Sequence, residues 1–116
     1  MILHFNENIN ADSLSKVIDF TNQLIENERY GIIYLNSNGG SSMHKDAILD
    51  IINVNSKLFK LVGYGRLCSA AFDLFFSAKC DRKLVDGTLK HWRRQGIVAQ
   101  LFSPCTMLIR ITNVQN

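Results

Sequence analysis

The sequence has little of what marks several large classes of protein. It contains a single proline, and 47% of its 116 residues are hydrophobic, which argues against a disordered chain. Its three cysteines (Cys68, Cys80 and Cys105) have no CxxC spacing, so we expect reduced thiols, with neither a disulfide framework nor a metal site. No apolar run approaches the length of a membrane span. The length suits one small domain with a packed core.

A dense cluster of one charge is also missing. The net charge is only +3, and Asp81 and Asp86 interrupt the basic residues between positions 79 and 94. We interpret those basic residues as a solvated surface and not as a nucleic-acid site. The first residues lack the charged and apolar regions of a signal peptide. The expectation is a cytoplasmic protein that binds neither nucleic acid nor membrane.

Short apolar runs alternate with segments of helical periodicity. The predicted strands are residues 2–5, 31–36, 58–64, 82–85 and 88–92. The predicted helices are residues 12–27, 42–54 and 69–78. A turn is predicted at residues 65–68. Strands alternating with helices through short connections predict an α/β architecture with right-handed crossovers.

The end of the chain has a different character. Residues 97–102 and 107–112 resemble two strands separated by Ser103-Pro104-Cys105. They fit either a hairpin or an extension that a partner chain covers, and the sequence leaves both open. We expect an α/β core over residues 1–92 and a divergent C-terminal extension, with β structure, over residues 93–116.

Acyl-transfer chemistry needs a nucleophile and free backbone amides at one point, and this chain offers candidates for both. Gly39 and Gly40 follow a predicted strand, and Ser69 begins a predicted apolar helix. The carboxyl ends of parallel strands meet at one edge of a sheet, so these segments are expected to meet there. His91 is a candidate base, and the N–H of Ala70 is a further oxyanion donor at a helix start.

Each of these residues also has a simpler interpretation. Ser69 suits a helix N-cap, the glycine pair suits an ordinary loop, and His91 suits a surface or core histidine. Cys68 is a rival nucleophile, although its position favours a buried apolar role. The two other histidines are interpreted as surface residues.

These motifs resemble a known family. Residues 33–41, with the sequence IYLNSNGGS, resemble the strand and glycine loop of the Clp protease proteolytic subunit, which typically carries "INSPGG" there. Cys68-Ser69-Ala70-Ala71 is similar to the nucleophile turn of that family. Leu89-Lys90-His91 falls where the family carries its catalytic histidine. The resemblance covers about Ile2 to His91.

The resemblance implies the Clp/crotonase fold, a spiral of β-β-α units with a mostly parallel sheet. Ser69 would attack a peptide carbonyl, and His91 would take up and return the proton. Gly39, Gly40 and Ala70 would form the oxyanion hole. The resemblance also implies a peptide or unfolded protein as substrate, a homo-oligomeric ring, an ATP-driven AAA+ unfoldase as partner, and no cofactor.

The sequence departs from the family pattern in ways that keep other hypotheses open. Asn38 replaces the usual proline, and the family's aspartate after the histidine has no counterpart. The acids near His91 are Asp81 and Asp86, so the third member of a triad is not assigned. One alternative is a catalytically impaired structural subunit that assembles with an active relative. The other is a CoA-thioester enzyme of the crotonase branch, which normally needs a longer chain.

Overall fold

A computed structural model of the chain describes residues 1–85 as a parallel β-sheet with helical connections. The strands are β1 (Ile2–Phe5), β2 (Gly31–Ser37), β3 (Phe59–Leu67) and β4 (Asp81–Leu84). The helices are α1 (Ala11–Glu26), α2 (Ser42–Val54) and α3 (Ala70–Ser77), with a short 3₁₀ turn at Ser56–Leu58. The strand order β1-β2-β3-β4 follows the chain, and every pairing is parallel. The predicted α/β class is therefore confirmed.

The helices of the described part lie side by side on one face of the sheet. Each connection steps to the next strand in the same direction, and right-handed crossovers then place every helix on the same side. Ile33 and Leu35 of β2 face the helices and are buried, whereas Ile32 and Tyr34 between them are half-buried. A continuous apolar run like that of β2 is typical of a strand buried on both faces. Among the described elements, helices cover one face alone.

Side-chain caps explain where the first two helices begin. Asn10 Oδ1 accepts the amide of Ser13 at 3.0 Å, and Ser13 Oγ accepts the amide of Asn10 at 2.8 Å. This reciprocal pair is a capping box for α1. Ser41 Oγ accepts the amide of His44 at 3.3 Å and caps α2. Both helices begin within one residue of the predicted positions.

The prediction that β3 ends at residue 64, with a turn at 65–68, is wrong. The strand continues to Leu67 because it contains a bulge. Leu35 pairs with Gly63 and Ser37 with Leu67, so β3 holds two more residues than β2 over this stretch. Bulges of this kind bend a strand and redirect the residues that follow it. Ser69 lies two residues after Leu67, where the two strands pair again.

Two features accommodate the extra residues of the bulge. Gly65 has φ 64°, in the left-handed region that glycine enters without a steric penalty. Asn36 Oδ1 accepts the amide of Arg66 at 2.8 Å, and Asn36 Nδ2 donates to Asn6 Oδ1 at 3.1 Å. The side chain of Asn36 therefore supplies the partner that the bulged backbone amide lost.

Some predictions fall outside the described residues. They are the strands at 88–92, 97–102 and 107–112, the boundary between residues 1–92 and 93–116, and the positions of Asp86, His91 and Cys105. None of the helices within residues 1–85 is long and apolar enough to cross a bilayer.

Candidate active site

Ser69 occupies a strained turn between β3 and α3. Its backbone has φ 53° and ψ −122°, a region that non-glycine residues rarely enter. The residue is exposed, and its side chain makes no capping hydrogen bond to α3. A serine kept only as an N-cap would accept an amide of the first turn, as Ser41 does in α2. Capping therefore does not account for Ser69.

Gly39 lies directly against this turn. A Cβ on Gly39 would be 2.7 Å from the carbonyl oxygen of Cys68, 3.0 Å from Ser69 Cβ and 3.2 Å from Ala70 N. The amide of Cys68 also donates to the carbonyl of Ser37 at 3.1 Å. The structure thus brings together the glycine loop and the serine turn, which are 30 residues apart in the sequence.

Two backbone amides at this point have no acceptor within residues 1–85. They belong to Gly40 and Ala70, whereas the amide of Gly39 donates to Ser37 Oγ at 3.1 Å. Ala70 is the first residue of α3, where amides lack intrahelical partners and the helix dipole favours negative charge. Unsatisfied amides on the two segments that meet at Ser69 are the donors that an oxyanion hole requires.

The other side of the glycine loop is held by Ile9, which is 1% exposed. The amide of Ile9 donates to the carbonyl of Gly39 at 2.8 Å, and the carbonyl of Ile9 accepts the amide of Ser41 at 2.9 Å. Sequence reasoning missed this contact. An apolar residue directly before the N-cap Asn10 is a known staple position, which signals burial of Ile9 but not its pairing with the loop.

A second serine near the loop contacts an imidazole. Ser41 Oγ lies 2.8 Å from His44 Nδ1, and His44 is half-buried. The prediction that His44 is a surface residue missed this contact, although a serine three residues before a histidine at a helix start permits it. Ser41 Oγ already caps α2, unlike Ser69 Oγ.

The remaining candidates are less well placed or not described. His91 and Asp86 lie outside residues 1–85. Asp81 is exposed at the start of β4, in register with Lys60. Cys68, predicted to be buried, is half-buried. Within the described part of the chain, no group of three or more metal-ligating side chains could hold a metal ion.

Asp73 of α3 forms an ion pair with Lys45 of α2. Lys45 Nζ lies 2.5 Å from Asp73 Oδ2 and 2.6 Å from Asp46 Oδ1. Burial lowers the pKa of Lys45, but hydrogen bonds and coulombic attraction from the two carboxylates outweigh it, and the net pKa is raised. The ammonium group therefore stays protonated and is not a base for Ser69.

Sequence comparisons place the chain in a known family. A family model described as Clp protease matches residues 1–88. The chain belongs to the Clp protease family. A search of curated protein sequences found no match.

Solved structures of Clp proteases are similar to this chain. One is a ClpP1 mutant from Listeria monocytogenes, with 26% identity and a TM-score of 0.61, covering 66% of this chain and 46% of that one. Another is the ClpP protease catalytic domain from Plasmodium falciparum, with 30% identity and a TM-score of 0.60, covering 67% of this chain and 43% of that one. The matched part of this chain thus spans less than half of either structure, and its fold is that of the Clp proteases.

Proposed function

We propose that this member of the Clp protease family is a serine-type endopeptidase of the ATP-dependent Clp type. Ser69 Oγ attacks the carbonyl carbon of a peptide, and His91 accepts the hydroxyl proton. The amides of Gly40 and Ala70 stabilise the oxyanion. His91 then protonates the leaving amine as the C–N bond breaks, and water hydrolyses the acyl-enzyme ester to regenerate Ser69.

The observation that carries this proposal is the backbone of Ser69. Holding a non-glycine residue at φ 53° costs about 1–3 kcal/mol, and such strain persists where surrounding structure enforces it, often at active sites. A strained turn between a strand and a helix exposes a nucleophilic oxygen at the edge of a sheet. Gly39 supports this arrangement by lacking a Cβ where the two segments touch.

The family resemblance supports the rest of the proposal. The substrate is a peptide or an unfolded protein, the subunits form a homo-oligomer, and an AAA+ unfoldase delivers the substrate in the cytoplasm. No cofactor takes part.

Labelling of the full chain with a fluorophosphonate probe tests the proposed nucleophile. We expect labelling of the wild type, its loss in Ser69→Ala, and a rate at least ~100-fold lower in His91→Ala, the size of a general-base contribution. The labelled residue is identified by peptide mass spectrometry. Circular dichroism of each variant confirms that it is folded.

Two neighbouring residues serve as controls. Cys68→Ala removes the adjacent thiol, and Ser41→Ala removes the hydroxyl that contacts His44. Labelling that persists in both variants supports Ser69, whereas labelling that disappears in either one assigns the nucleophile elsewhere. A folded wild type that never reacts contradicts the peptidase proposal and favours the non-catalytic subunit. Retention on a CoA column without labelling favours the thioester enzyme.

A further inference from the structure

The ion pair between Lys45 and Asp73 joins the two helices that begin at the candidate site. Lys45 is the fourth residue of α2, which starts after the glycine loop. Asp73 is the fourth residue of α3, which starts after Ser69. Their side chains meet with Nζ 2.5 Å from Oδ2. Lys45 therefore lies one helical turn after the glycine loop, and Asp73 lies one helical turn after Ser69.

Backbone hydrogen bonds extend this contact to the site itself. The amide of Lys45 donates to the carbonyl of Ser41 at 3.0 Å, and the amide of Asp73 donates to the carbonyl of Ser69 at 3.2 Å. A continuous path of bonds thus runs from the residue after Gly40, through the ion pair, to the candidate nucleophile. If the distance between α2 and α3 changes, the distance between the glycine loop and Ser69 therefore changes with it.

The pair is better shielded than an ordinary surface ion pair. The side chain of Lys45 is 11% exposed and that of Asp73 is 35% exposed, while Ser77 Oγ donates to the second oxygen of Asp73 at 3.1 Å. The ion pair between Lys16 and Glu7 has a similar length, 2.8 Å, but its lysine is 56% exposed. Solvent and salt weaken the exposed pair more.

We infer that Lys45 and Asp73 are positioning residues, which hold the oxyanion donors of the glycine loop at a fixed distance from Ser69. This inference rests on the proposed function. Lys45 directs its ammonium at two carboxylates, so it acts through the helices and not on the substrate. A misplacement of about 1 Å at a reacting centre costs about 100-fold in rate, which makes helix spacing a sensitive quantity.

The test compares Lys45→Met with the matched control Lys16→Met in the full chain. Saturation kinetics with the fluorophosphonate separate probe binding from the rate of phosphonylation of Ser69. We expect Lys45→Met to lower the phosphonylation rate by about 10- to 100-fold with little change in probe affinity. Lys16→Met should react like the wild type. Lys45→Arg, which keeps the cation, should recover part of the rate.

A second measurement does not depend on catalysis. Alkylation of Cys68 by iodoacetamide, followed by peptide mass spectrometry, reports on the turn that precedes α3. We expect faster alkylation in Lys45→Met than in wild type or Lys16→Met, at temperatures where all three are folded. Unchanged phosphonylation together with unchanged alkylation overturns the inference. If the wild type is not phosphonylated, the proposed function fails, and alkylation alone decides whether the pair holds the turn.

Discussion

At the scale of single residues, the glycine loop shows where the candidate site requires a residue without a Cβ atom. Gly39 and Gly40 have φ 101° and φ 146°, both in the region that favours glycine. Each also faces a different neighbour, because Gly39 lies against the turn at Ser69 and Gly40 lies against Ile9. The loop is therefore packed on both sides, and its backbone has little room to move relative to Ser69.

We expect Gly40→Ala to lower the free energy of unfolding by about 1–3 kcal/mol, because the residue is held in a strained backbone region. In addition, its Cβ would lie 2.2 Å from the carbonyl oxygen of Ile9. Urea denaturation followed by circular dichroism measures the effect. Asn38→Ala is the matched control, since Asn38 is exposed in the same loop, and its effect should stay within about 0.5 kcal/mol. Equal stabilities of the two variants would contradict this account of the loop.

Some residues of the candidate site could be identified from sequence and others could not. Ser69 and the glycine pair stand in recognisable motifs, and the motif order placed them at one edge of the sheet. Lys45 carries no such signal. The role of Lys45 depends on a partner 28 residues away, and a lysine on an amphipathic helix ordinarily faces solvent. Tertiary contacts of this kind cannot be predicted from local periodicity.

At the scale of elements, α1, α2 and β2 were predictable because local chemistry specifies their ends. Asn10 and Ser41 cap the helices, and the apolar spacing of the helices fixes their period. The end of β3 was not predictable in this way. The local sequence around Gly65 favours a turn, but the pairing of Leu67 with Ser37 of the neighbouring strand continues β3. The partner strand decides the outcome.

The hydrogen bond between Asn36 and the bulge leads to a specific prediction for Asn36→Leu. This substitution leaves the amide of Arg66 without the acceptor that it has at 2.8 Å. The bond is exposed to solvent, so water can replace part of the lost acceptor, and we expect the free energy of unfolding to fall by about 0.5–1 kcal/mol. Amide hydrogen exchange of Arg66, measured by NMR, should accelerate.

Asn6→Ala is the control for this experiment. It removes only the bond between Asn6 Oδ1 and Asn36 Nδ2 and leaves the acceptor of Arg66 in place. Exchange at Arg66 should therefore remain close to that of the wild type. Equal exchange rates in Asn36→Leu and Asn6→Ala would show that Asn36 does not support the bulge.

At the scale of the whole molecule, two groups within residues 1–85 make the stability depend on pH in the alkaline range. The pKa of Lys45 is raised above 10.5, since its two carboxylate partners outweigh the opposing effect of burial. Burial raises the pKa of the Cys80 thiol above 9.0. Both groups bind their proton more tightly in the folded chain than in the unfolded chain. Their contribution is complete below the unfolded pKa and decreases as the pH rises through the folded pKa.

We therefore expect the free energy of unfolding to fall from pH 9.0 upwards as the thiol ionises, and to fall further above pH 10.5 as Lys45 loses its proton. Lys45→Met removes the second contribution, since methionine carries no proton to lose. Its stability should be lower than that of the wild type at pH 8, and the difference should shrink above pH 10.5. Urea denaturation at a series of pH values measures both curves. Parallel curves across this range would mean that the Lys45–Asp73 pair adds nothing to folding, and the link between α2 and α3 would then rest on apolar packing alone.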